Sequence, residues 1–103
     1  MDKFLNNEET LNALYEILES KKGHLDAKFT SARISLEIGV KSDILNRSLQ
    51  EHFGITVKGL IAMYRIQHAS MLLRRGAPFK ELHRMSGFSS ASKMLQTFDD
   101  IVK

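Results

Sequence analysis

Acid–base or metal chemistry in this chain would have to come from four histidines, His24, His52, His68 and His83, and twelve carboxylates. None of the histidines stands at metal-ligand spacing with neighbouring carboxylates, and the one close pair, Glu81 and His83, is too common a pairing to mark a site. Cysteine is absent, which removes disulfides, thiolate metal sites and a thiol nucleophile. No glycine-rich phosphate loop or nucleophile motif occurs either. The chain therefore reads as a non-enzyme: no catalytic residue, no metal, no cofactor and no small-molecule substrate are expected. Its histidines read as surface or boundary residues.

A different chemistry, that of a polar helix start aimed outward, is written twice. ISLEIGVKSDILNRSL (Ile34–Leu49) and LHRMSGFSSASKMLQTF (Leu82–Phe98) share one plan: an apolar residue, four residues, a glycine, an apolar residue, then a serine before a helix. Ile34 matches Leu82, Gly39 matches Gly87, Val40 matches Phe88 and Ser42 matches Ser90. With one extra residue in the second copy, Leu45 matches Met94 and Leu49 matches Phe98. Glycine can take the left-handed conformation that ends a helix without a Cβ clash. The apolar residue after it drops into the core and fixes the crossing angle. The serine then caps a second helix whose N-terminal polar face can enter a major groove. One such helix-turn-helix is as readily a plain hairpin; two within a hundred residues point to duplex binding.

Those turns have to be held by helices, and the sequence supplies five or six of them with no strands. Asn7 with Glu8 and Glu9 starts the first, which carries Leu11, Leu14, Tyr15 and Leu18 and closes at Lys21, Lys22 and Gly23. Thr30 caps a helix carrying Ile34 and Ile38; Ser42 caps one carrying Leu45, Leu49 and Phe53. Thr56 opens the longest, with an expected stripe of Val57, Leu60, Ile61, Tyr64, Met71 and Leu72, reaching about Arg75. Pro78 suits the first turn of a helix with Phe79, Leu82 and Met85, and Ser90 starts a last one with Met94, Leu95 and Phe98. The fold class is all-α. A rod of about 20 residues at ~1.5 Å each spans ~30 Å, near the ~34 Å between successive major grooves. The same length also suits the central helix of a bundle.

Length and composition fit one soluble domain, or two very small subdomains sharing a core: 103 residues, 43% hydrophobic, one proline and six glycines. No apolar run approaches the ~18–20 residues of a membrane span and no signal-peptide layout is present, so a soluble, cytoplasmic protein without membrane contact is expected. The formal charge of +3 is unevenly placed. Residues 1–26 hold three lysines against six carboxylates, whereas residues 27–98 hold eleven lysines and arginines against four. A basic body is compatible with a polyanion partner.

Three stretches together resemble the C-terminal DNA-binding module of the AraC/XylS family of bacterial transcription regulators. LDAKFTSARISLEIGVKSDILNR looks like its first helix-turn-helix with the usual lead-in. FGITVKGLIAMYRIQHASMLL looks like its linker helix, including the pattern of Arg65, Ile66, Ala69, Leu72 and Leu73, and MSGFSSASKMLQTF looks like the second helix-turn-helix. The resemblance covers Leu25 to Phe98. It implies two homeodomain-like helix-turn-helix subdomains joined by a long linker helix, with an extra acidic N-terminal helix. The expected boundaries are 1–24 for that helix, 25–55 and 77–103 for the two subdomains, and 56–76 for the linker.

The function implied is sequence-specific binding of double-stranded DNA that recruits or blocks RNA polymerase, with a homodimer as a further assembly to consider. Carried across, the first recognition helix would present Asp43, Asn46 and Arg47 to bases, and the second Ala91, Ser92 and Gln96. A guanidinium such as that of Arg47 can bond guanine O6 and N7 together; Asn46 and Gln96 can do the same for adenine N6 and N7. Ser42 and Ser90, at helix N-termini, suit phosphates.

Some residues depart from the family pattern. Asp43 puts a carboxylate at the tip of the first recognition helix, and Asp99 and Asp100 stand where basic residues are usual. His83 takes a place normally held by alanine, where it must tilt the packing or point its ring out. The sequence also stops at Lys103 without the usual Gly-x-x-Pro-x-x-Tyr segment, which reads as a truncated or degenerate second half. The alternative reading is a degenerate helix-turn-helix module acting through protein–protein contacts without DNA, using the acidic N-terminal helix and the Phe98–Val102 end.

Overall fold

A computed structural model describes residues 7–102 except 21 and 27, with the side chains of Asn7, Glu8 and His24 also outside the description. The expected helix-closing Lys21 and the first six residues of the acidic segment lie outside the described residues. The described residues form six α-helices: α1 (Asn7–Tyr15), α2 (Ser31–Ile38), α3 (Ser42–Phe53), α4 (Val57–Arg74), α5 (Phe79–Met85) and α6 (Ala91–Val102). No strand occurs among the described residues, and the chain is all-α.

Local sequence sets most helix starts. Thr30 accepts the Arg33 N–H at 3.3 Å to cap α2, Thr56 accepts that of Gly59 at 3.0 Å, and Ser90 accepts that of Lys93 at 3.1 Å before α6. The expected cap at Ser42 does not form. The chain enters α3 from Lys41, extended at φ −60° and ψ 146° and making no side-chain cap, so Ser42 is already the first helical residue. A cap needs the non-helical residue before the helix, and here that residue is a lysine.

The first helix also departs from a regular α-helix over its expected length. It ends at Tyr15 and continues as a π-helical turn over Glu16–Ser20, where the consecutive residues Ile17 and Leu18 are both buried. Tyr15 and Phe53, expected on apolar stripes, are instead largely exposed.

The chain divides into two compact units. The first holds the described residues up to Gly23 together with Phe29–Leu60. In it α1 packs on α2 and α3, and α2 on α3. Its buried apolar side chains include Leu14, Leu18, Phe29, Ile34, Leu45 and Leu49. The second holds residues 24–28 and 61 onward. There α5 packs on α6 around a core of Ile66, Ala69, Leu82, Phe88 and Met94, with Leu72 and Ala77 against it.

Helix α4 contributes to each unit in turn, and its expected single stripe does not hold. Val57, Ile61, Ile66 and Ala69 are its buried residues. At about 100° per residue, Ile66 lies half a turn around the helix from Val57. A helix serving two cores in succession has no reason to keep one apolar face.

Candidate nucleic-acid interface

The repeated motif folds into the same turn twice. Gly39 (φ 80°) ends α2, and the N–H groups of Gly39 and Val40 both return to the Ser35 carbonyl, at 2.9 and 3.2 Å. After α5, Gly87 takes φ 84° and the Phe88 N–H returns to the His83 carbonyl at 2.8 Å. Both are left-handed helix stops in which the residue after glycine bonds back to the last turn. Val40 and Phe88, each 7% exposed, plug their cores as the sequence requires.

The two copies differ at the residue that receives this bond. The Ser35 hydroxyl donates to the Val40 carbonyl and so braces the first turn. At the matching place, His83 Nδ1 is buried without a hydrogen-bond partner, as is Oγ of the fully buried Ser86 nearby. The His83 ring is therefore not simply turned out to solvent. Each such orphaned group costs about 1–3 kcal/mol, which makes the second turn the weaker one. Glu81 pairs with Arg84, not with His83.

Helix α3 buries Leu45, Ser48 and Leu49 and turns Asp43, Ile44, Arg47, Gln50 and Glu51 outward. Arg47 is exposed on the outer face. Asp43 is exposed too, its carboxylate accepting the N–H of Ile44 at 3.0 Å. Ser42 is half-buried. Asn46 is differently employed. It is half-buried, and its Oδ1 accepts the Val57 N–H at 2.9 Å, capping the start of α4. Bidentate adenine reading would call on that same oxygen. Gln50 is exposed three residues beyond Arg47, the spacing that shares a helix face.

On α6, Ser92, Lys93 and Gln96 are exposed, Ser90 and Ala91 half-buried, and Met94 buried. The Ser90 hydroxyl is occupied as the cap, and Gln96 Nε2 donates to Asp100 Oδ1 at 3.1 Å. Both amide side chains expected to read adenine thus already hold an intramolecular bond. Asp99 and Asp100 leave this helix without a basic residue in its last turn.

Arg65, on α4, supports the second turn from behind. Its guanidinium lies over the Phe88 ring, 6.0 Å from the centroid, and donates to the Asp26 carbonyl at 2.9 Å. Burial lowers the Arg65 pKa below the usual arginine value, and the Asp26 charge opposes that shift. His52 behaves as a surface residue, its Nδ1 donating to the Ser48 carbonyl at 2.8 Å.

An all-α chain with a duplicated helix-turn-helix, an arginine on the outer face of the first recognition helix and a basic body defines a class of DNA-binding modules. Residues 34–103, about two thirds of the sequence, match the model of a helix-turn-helix domain family of the AraC type. The chain belongs to that family of DNA-binding transcription regulators. No curated protein and no solved structure matches it.

Proposed function

We propose that this chain binds double-stranded DNA sequence-specifically as a bacterial transcription regulator, and that α3 is its principal reader. The observation that carries this reading is Arg47, exposed on the outer face of a helix whose inner face is buried and whose entry is fixed by the Gly39–Val40 turn. Arg47 reads guanine, with Gln50 one turn further along. Asp43 accepts from cytosine or weakens the approach to phosphate. Ser42 and Lys41, at the helix start, contact phosphate. In the second motif, which spans 77–103, Ser90, Ala91, Ser92 and Gln96 make the lesser contribution, because the cap and Asp100 already use two of these side chains. The first motif falls within residues 25–55, of which Leu25, Asp26 and Lys28 belong to the second unit, and 56–76 is the linker.

RNA polymerase is the protein partner such a regulator would recruit or block, in the cytoplasm where the DNA lies. No described helix is long and apolar enough to cross a membrane. Selection from a random duplex library tests the reading. Enrichment of one motif containing a guanine whose loss matters only when Arg47 is present supports it. Retention of DNA without any enriched motif contradicts sequence reading. A second reading, protein contact without DNA, is favoured by one observation: the exposed apolar and acidic end of α6. Absence of DNA binding by a folded chain would select it.

A further inference from the structure

Ahead of His52, helix α3 exposes Asp43, Ile44, Arg47, Gln50 and Glu51. Four of these are polar; Ile44, 45% exposed, is the apolar one. A lone exposed apolar residue is ordinary, but this one stands beside Arg47 at the start of the reading helix. Packing does not demand it there. Ile44 directly precedes the buried Leu45; in the second motif Lys93 directly precedes the buried Met94, and Lys93 is exposed as well. The same place in the repeated plan therefore takes a charged side chain.

Ile44 is also held ready for contact. The Lys41 carbonyl and the Asp43 carboxylate both accept its backbone N–H, each at 3.0 Å. Its side chain is β-branched, and in a helix such a side chain keeps one χ1 rotamer about 90% of the time. Burying it against a ligand thus costs little side-chain entropy. Three residues apart, Ile44 and Arg47 are neighbours on the helix surface, with Cβ atoms roughly 5–6 Å apart. The N-terminal residues of a recognition helix are those that reach base edges, and successive bases of one strand rise by about 3.4 Å. An Arg47 bonded to guanine accordingly brings Ile44 to the adjoining base pair. The apolar group that a base edge offers in the major groove is the 5-methyl of a pyrimidine. Thymine always carries it, and cytosine carries it once methylated.

We propose that Ile44 is a further specificity-determining residue, which contacts the 5-methyl group of a pyrimidine in the base pair adjoining the guanine read by Arg47. This role rests on the duplex reading proposed for α3. Arg47 supplies hydrogen-bond donors to one pair and Ile44 supplies apolar surface to the next. Together they select a guanine flanked by a methyl-bearing pyrimidine, whether thymine or 5-methylcytosine.

Titrations of the intact chain against its selected duplex test this. At each pair adjoining the Arg47-dependent guanine, thymine is replaced by deoxyuridine and cytosine by 5-methylcytosine, which changes the methyl and none of the hydrogen-bonding groups. Removing the methyl at one thymine should weaken wild-type binding about fourfold, or adding it at one cytosine should strengthen binding by as much. The arm that responds identifies the source of the methyl. Ile44→Ala should bind the duplexes with and without the methyl equally, whereas Ile44→Val should keep the response. A merely structural role for Ile44 would weaken both duplexes alike in Ile44→Ala and leave the methyl response intact, which overturns the proposal. A wild type that keeps its Arg47-dependent guanine but ignores the methyl at every adjoining pair also overturns it, and leaves the reading by α3 standing. A chain without any Arg47-dependent guanine overturns both.

Discussion

The side-chain oxygen of Asn46 and the backbone N–H of Val57 are bonded at 2.9 Å across eleven residues of sequence. Helix α3 thereby caps the helix that follows it. Together with the Thr56 bond to Gly59, this satisfies two of the four N–H groups that a helix start leaves open. It gives Asn46 a structural role at the junction of α3 and α4.

Asn46→Ala should therefore destabilise the protein by about 1–2 kcal/mol, measured by urea denaturation followed by circular dichroism. Asn46→Asp, which keeps an acceptor in place, should recover most of the loss. An unchanged urea midpoint for Asn46→Ala would return this residue to the DNA-facing set.

Gly39 tests the turn itself. Its φ of +80° is unfavourable for any residue with a Cβ, while a Cβ built there meets nothing within 4 Å. Gly39→Ala should cost about 1–2 kcal/mol from backbone strain alone, partly offset in the unfolded state. Gly39→Asn should cost less, since asparagine tolerates this region. Thermal melts would check the order: glycine highest, asparagine next, alanine lowest.

The ease with which these features could be foreseen tracks how local they are. Thr30, Thr56, Ser90, Gly39 and Gly87 act within four residues of themselves, and residue type with spacing was enough to place them. Ser42 failed because residue type does not say which residue carries the last extended φ and ψ, and Lys41 does. The cap made by Asn46 was not legible because its partner is eleven residues away and no periodicity encodes that bond. Helix α4 misled for a related reason: a stripe is a rule for one core, and this helix serves two units. In the site, the exposure of Arg47 was legible from helix periodicity. The occupation of Gln96 by Asp100 was not, because it depends on two rotamers meeting.

Arg65 is a support whose geometry lysine cannot copy. A planar guanidinium spans both the Phe88 face and the Asp26 carbonyl; an ammonium can serve only one. Arg65→Lys should lose about 1–2 kcal/mol of stability, combining a weakened charged hydrogen bond and cation–π contact. A guanidinium stays protonated in proteins across this range, so this contribution should not vary between pH 5 and 9. A stability difference that titrates in that window would contradict the assignment.

Two cations on the first motif should fail in different ways. Arg47→Ala should cost about 1–3 kcal/mol at sites bearing the preferred guanine and little elsewhere. Lys41→Ala, at the helix start, should weaken all duplexes alike and reduce the salt slope by about one. Titrations of matched and mutated duplexes separate the two; identical behaviour would deny the division between base reading and phosphate contact.

The most direct test of the central claim is fluorescence anisotropy of labelled duplex DNA titrated with the intact chain at several salt concentrations. Binding that weakens linearly in log salt, in proportion to the phosphates neutralised, is the predicted result. A folded helical chain that leaves the duplex unbound even at ~50 mM salt would contradict it, and would make the acidic residues of α3 and α6 the deciding charges.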